Sequence, residues 1–138
     1  RHAVDMLTER LERLGHTVLS FVRQSGVTGD QQLWAFDAAG GDPETWIRSA
    51  AGAEKFRWNL LGATQSDLCI YIGPAGCDAW AEVGAAWAAG VPVIGLWAKG
   101  EPIGLNRRMI RQWFSSYIEL EQALRQRGSL LAKEVAYA

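Results

Sequence analysis

The sequence predicts an α/β protein, a parallel sheet with helices on both faces, in a single domain. Three observations point there. Leu68–Ile72 (LCIYI) is a short continuous apolar run, the pattern of a strand buried on both faces. Val91 to Trp97 (VPVIGLW) is a second such run. Between them, Asp78 to Ala89 is an alanine-rich helical stretch that Gly90 closes, so the order is strand, helix, strand.

The flanking elements follow the same alternation. Val4, Leu7, Leu11 and Leu14 recur at helical spacing, and Gly15 stands where a helix ends. Thr17 to Val22 (TVLSFV) reads as a β-branched and aromatic strand. Residues 23–45 are polar and glycine-rich around a short LWAF segment, a long loop of the kind that often carries function. A helix resumes at about Pro43, a residue suited to a first turn, and runs to about Thr64 with a break near Gly52. Beyond the second apolar strand, the pattern predicts a helix over about 106–113, a short edge strand over 116–118 and a last helix from Leu120 to about Arg127. Residues 129–138 read as a tail that packs on a partner. The chain opens directly in a helical pattern without an initiator Met, so something upstream of Arg1 is expected to be missing from this numbering.

Composition narrows the function classes. The 138 residues suit one domain with a real core, and the 49% apolar content is ordinary for a globular protein. Formal charge is −1, and the densest basic group, Arg107, Arg108 and Arg111, lies on a predicted helix. Neither a nucleic-acid polymer nor an anionic membrane is an indicated partner. No apolar run approaches the roughly 20 residues of a membrane-spanning helix. Cys69 falls in an apolar strand and Cys77 in the turn after it, which reads as two free thiols in a reducing, cytoplasmic setting. His2 and His16 stand far from any cysteine or acidic cluster, so neither a metal nor another cofactor is expected. Seven tryptophans are many for this length; they pack the core and interfaces, or some stack on a planar ligand, and composition does not separate the two.

Open parallel sheets bind ligands beyond the C-terminal ends of their strands. The turn Gly73-Pro74-Ala75-Gly76-Cys77 is such a place, since its glycines admit close approach and the next helix offers unpaired N–H groups. It has the spacing of neither a Walker A loop nor a dinucleotide fingerprint. Glu82 carries more information. It is a carboxylate in the second turn of a helix otherwise made of Ala, Trp, Val and Gly, and such a group is costly without a partner or a task. Asp78 lies one turn earlier on the same face. A cap at Asp78 and a dipole partner at Glu82 are the plain alternative.

The run SDLCIYIGPAGCDAWAEVGAAWAAGVPVIGLW resembles the central segment of the nucleoside 2-deoxyribosyltransferase-like superfamily. The matching positions are Ser66-Asp67, then Glu82, Gly84, Ala86, Gly90, Pro92 and Val93, and LERLGHTVLSF resembles the approach to the family's second strand. The likeness covers most of residues 5–120. It implies a flavodoxin-like, doubly wound sheet of five parallel strands, the first of them upstream of Arg1. It also implies that Glu82 is a nucleophile attacking C1′ of the sugar, with a covalent glycosyl-enzyme released with retention. The family usually places an Asp on the helix before the central strand, and Asn59 of KFRWNLL stands there. An amide holds a hydroxyl or a base but does not shuttle a proton.

The expected function is therefore binding of a small nucleoside or nucleotide, with cleavage or transfer of its N-glycosidic bond. Glu82 attacks, Asp78 and Asn59 orient the sugar, and the turn from Gly73 to Cys77 lines the pocket. Trp34 and Phe36 of the long loop close over the base. The rivals are a nucleotide sensor that keeps the fold without catalysis, and a structural component with no ligand. A homo-oligomer is expected, because neighbouring subunits commonly complete the site in this family.

Overall fold

Leu68, Cys69, Ile70 and Tyr71 are all buried, so both faces of one strand carry core. The computed structural model describes the backbone of residues 2–20, 41–131 and 134–137, with side chains over 4–20 and 41–126. The elements in chain order are α1 (His2–Arg13), β1 (Thr17–Leu19), α2 (Pro43–Arg48), α3 (Ala50–Gln65), β2 (Leu68–Ile72), α4 (Cys77–Ala88) and β3 (Val93–Leu96). A 3-10 turn (Leu105–Met109), β4 (Gln112–Phe114), α5 (Tyr117–Leu131) and β5 (Glu134–Tyr137) follow. The strands form one sheet in the order β1-β5-β2-β3-β4, and every pairing is parallel.

Alternation along β2 divides the core in two. Leu68 and Ile70 face Val4, Leu7 and Leu11 of α1 and Leu120 and Leu124 of α5. Cys69 and Tyr71 face Ala63 of α3 and Val83 and Ala86 of α4. The first layer is also tied by charge: the Glu121 carboxylate accepts from Arg10 Nη1 at 2.6 Å and from Arg125 Nη2 at 2.7 Å. These hydrogen bonds hold the Glu121 carboxyl below the usual carboxylate range and pin α1 to α5.

The helix ends follow local chemistry. Gly15 and Gly90 adopt φ of +88° and +81°, the left-handed conformation that closes α1 and α4. The break between α2 and α3 falls at Ser49, three residues before Gly52. Ser49 Oγ caps α3 by accepting from the Gly52 N–H at 3.0 Å. Gly52 has another duty, because a Cβ there would lie 2.2 Å from the Trp46 carbonyl oxygen. It permits the close approach of α2 rather than breaking the helix.

The structure corrects the sequence reading after β3. Residues 106–113 are not a helix; a 3-10 turn leads into the edge strand β4, and residues 116–118 open α5 instead of forming a strand. Met109, Ile110 and Trp113 have helical spacing, yet Trp113 and Phe114 point to opposite faces, as strand residues do. Gly95, paired with Trp113 in the ladder, leaves room for that ring, whose nearest atom is 2.8 Å from where a Cβ would stand. At the start of α5, Ser116 Oγ accepts from the Glu119 N–H while the Glu119 carboxylate accepts from Ser115, a reciprocal cap.

The largest correction concerns the end of the chain. The helix α5 continues past Gly128 to Leu131, and the segment read as a tail forms β5 in the middle of the sheet. It lies between β1 and β2. Val135 pairs with Val18 on one side and with Leu68 on the other. Proline at 135 would delete a ladder donor in an interior strand. Val135→Pro is expected to lower the urea midpoint far more than Val135→Thr, which keeps the N–H and the branched side chain. Equal midpoints for the two variants would remove β5 from the sheet.

Candidate functional site

The helix α4 starts just beyond the C-terminal end of β2, behind the turn 73–76. Its sheet-facing stripe is Ala79, Val83 and Ala86, small enough to lie close on Tyr71 and Cys69. Glu82 stands beside that stripe, on the flank that packs against α3. There Asn59 Nδ2 donates to Glu82 Oε1 at 3.1 Å. Asn59 Oδ1 is buried with no hydrogen-bond partner, which leaves an open acceptor beside the carboxylate.

Charge at this spot is finely opposed. Burial pushes the Glu82 carboxyl above 4.5, and the Asn59 hydrogen bond works against that rise. Asp78, one turn away, pushes it further up, and Lys55 pulls it down. Lys55 lies one turn before Asn59 on the same face of α3. Burial lowers its ammonium to about 8 despite the Glu82 charge, and its Nζ sits 4.9 Å from the centre of the Trp58 ring. Cys69, under the same carboxylate, has a thiol pushed up to about 12 by burial, so it remains an inert core group.

The expected site residues divide into three groups. Glu82 and Asn59 meet directly. Asp78 is exposed in the first turn of α4 and is not its cap, since Gly76 occupies that position without a side-chain bond. Cys77 is exposed beside it, its Sγ 3.6 Å from Asp78 Oδ1. Pro74, in a cis bond after Gly73, and Gly76 are exposed, and Ala75 packs against the lower core. Trp34 and Phe36 lie outside the described residues.

The turn does a different job from the one its glycines imply. A Cβ at Gly73 would stand 2.4 Å from Glu101 Oε2. The room at Gly73 is therefore filled by a side chain of this protein rather than kept for a ligand. Tyr71 Oη donates to Glu101 Oε1, and burial raises the Glu101 carboxyl against the pull of Arg107. Arg107 stacks 4.1 Å from the centre of the Trp113 ring. With Trp80, Pro102, Ile103, Gly104 and Asn106 it lines a cleft of about 180 Å³, on the flank of α4 turned away from Glu82. A second hollow, of about 250 Å³, opens at the other end of the sheet among Leu68, Pro92, Ile94, Phe114 and Leu124.

Sequence reasoning passed over Lys55, Glu101 and Arg107. Lys55 was findable, because it stands four residues before Asn59 and so shares its helix face. The Tyr71–Glu101 bond spans thirty positions and leaves no local signal. Two of the tryptophans serve as packing, Trp80 and Trp113, which flank Tyr71 at 4.6 and 5.9 Å, while Trp87 and Trp97 are exposed.

Among the described residues no group of His, Cys, Asp and Glu could hold a metal ion, and no helix is long and apolar enough to cross a membrane. Compared with family descriptions, curated proteins and solved structures, the chain matches none.

The opposed charges make a testable pair. Glu82→Gln removes a buried anion whose carboxyl is raised, so the variant is expected to be more stable than the native chain at neutral pH. The folded protein binds the Glu82 proton more tightly than the unfolded chain, so native stability falls as pH rises from 4.5 through the raised value. The advantage of the Gln variant should therefore shrink in mild acid, as urea midpoints across pH would show. In the same variant, the Lys55 resonance should titrate below about 8, because the attraction that supports the ammonium is gone.

Proposed function

We propose that this chain binds a nucleoside or nucleotide and cleaves or transfers its N-glycosidic bond, with Glu82 as the nucleophile. The observation that carries the reading is the Asn59–Glu82 pair: a half-buried carboxylate, oriented by an amide, where α4 packs against α3. The all-parallel sheet is compatible with the reading; its order in chain numbering, 1-5-2-3-4, differs from the flavodoxin-like 2-1-3-4-5 in that the last strand of this chain holds the place of the first.

In this reading Glu82 attacks the anomeric carbon as the bond to the base breaks, and the sugar is held as a glycosyl ester. Water or an acceptor base then displaces Glu82 from the opposite face, the one the base has left, giving retention. Asn59 Nδ2 fixes the carboxylate through Oε1, and Oδ1 is available to a sugar hydroxyl. Asp78 is placed to reach the sugar from the mouth, and residues 73–77 serve as wall. The protein works as a homo-oligomer, for which exposed Ile47, Phe56 and Trp87 are suitable contact material. The two free thiols fit a cytoplasmic setting.

A second reading is favoured by one residue. Asn59 stands where the family has an Asp, so the chain would bind nucleotides as a sensor without turnover. Titration calorimetry with a panel of deoxynucleosides and their 5′-phosphates, beside a base-release assay, separates the two. Turnover supports the enzyme, and binding alone supports the sensor.

Glu82→Ala is expected to abolish base release while circular dichroism stays native. Unchanged release would overturn Glu82 as nucleophile. The acid limb of the native pH profile should lie above 4.5, because the attacking carboxylate is needed ionised and its carboxyl is raised.

A further inference from the structure

Arg107 stands in the 3-10 turn that leads from the loop after β3 toward β4. Its guanidinium lies over the Trp113 ring, 4.1 Å from the centre, and its side chain forms part of the wall of the cleft at Trp80. Yet Arg107 Nη1 is buried with no hydrogen-bond partner. Glu101 does not supply one. Its Oε1 accepts from Tyr71, its Oε2 is also unpartnered, and it meets Arg107 through charge alone. Buried polar groups are nearly always paired, so an orphaned cationic donor on a cleft wall calls for an acceptor from outside the chain.

The rest of the wall sets the kind of molecule. Trp80, Pro102 and Ile103 give it an apolar surface, and Ile103 is 85% exposed. Asn106 adds an amide, which can donate or accept. The volume of about 180 Å³ is a little above the roughly 150 Å³ that takes a benzene ring. One ring with one small charged group fits there. A nucleotide is of the size that occupies clefts of about 300–1,000 Å³, and does not. A guanidinium grips a carboxylate with two parallel bonds, and stacking on Trp113 fixes its plane before a ligand arrives.

We propose that this cleft is a second ligand site, for a small aromatic carboxylate, with Arg107 taking the carboxylate and Trp80, Pro102 and Ile103 holding the ring. The bound carboxylate supplies the acceptor that the guanidinium lacks, and the ring removes Ile103 from water. The cleft lies on the flank of α4 turned away from Glu82, so the proposal does not depend on what Glu82 does.

Benzoate is the probe, followed by titration calorimetry and by the indole N–H resonance of Trp80. Benzoate is expected to move that resonance saturably, and benzamide and acetate to bind at least about tenfold more weakly. Arg107→Gln should bring the benzoate and benzamide affinities together. Ile103 is exposed, so its variants serve if Arg107→Gln does not fold. The ratio of benzoate to benzamide affinity should fall in Ile103→Asp, which adds a negative charge at the lip, and rise in Ile103→Lys. A Trp80 resonance that benzoate does not move overturns the site. Either analogue binding as tightly as benzoate, or a ratio that neither Arg107→Gln nor the Ile103 pair changes, overturns the proposed ligand. None of these readouts uses base release, so the reading of Glu82 stands or falls separately.

Discussion

β1 has no hydrogen bond to β2. Both pair with β5, so β1 is hydrogen-bonded to the rest of the sheet through those four residues, while α1 packs on β2 directly. The consecutive strands β2, β3 and β4 form a parallel block without that help. The Glu121 carboxylate, gripped by Arg10 and Arg125, is the second tie between the two parts, and it acts on the same layer. Closing such a long loop of chain costs entropy that grows only slowly with length. Burial of β2 on both faces supplies the return, at about 1.5–3 kcal/mol for each fully buried large apolar side chain.

The candidate site depends on that frame. Because β2 presents Cys69 and Tyr71 to α4, the helix must turn Ala79, Val83 and Ala86 inward. The helical period then sends Glu82 toward α3 and Trp80 toward the opposite flank. Two carboxylates end up on either side of one helix in different company. Glu82 meets an amide and the field of a lysine. Glu101 meets a phenol and the field of an arginine, in space that only a glycine at 73 leaves open. Burial raises both, and each side keeps an unpaired buried acceptor, Asn59 Oδ1 toward α3 and Glu101 Oε2 on the other.

How much was legible follows from the range of each signal. The runs LCIYI and VPVIGLW declare buried strands because both faces are apolar, and α4 declares itself by its small residues and Gly90. Glu82 stood out because a carboxylate in that company is expensive. Its link to Asn59 came from the family pattern, and the structure brings the two together. The stretch after β3 misled, since Met109, Ile110 and Trp113 have helical spacing by coincidence. What decides that segment is the room at Gly95 for the Trp113 ring, a contact across strands. The cap Ser116–Glu119 was within reach, as its spacing is local. The place of β5 was not, because strand order is fixed by pairings more than a hundred positions apart.

An Asp in place of Asn59, as in the family the sequence resembles, would shift the charge of the site by one unit. An acid at 59 would put a third negative group beside Glu82 and Asp78, and either the carboxylates or Lys55 would have to change protonation to accommodate it. With an amide there, the Glu82 charge favours the Lys55 ammonium and the Lys55 charge favours the Glu82 carboxylate, while desolvation pushes both toward neutrality.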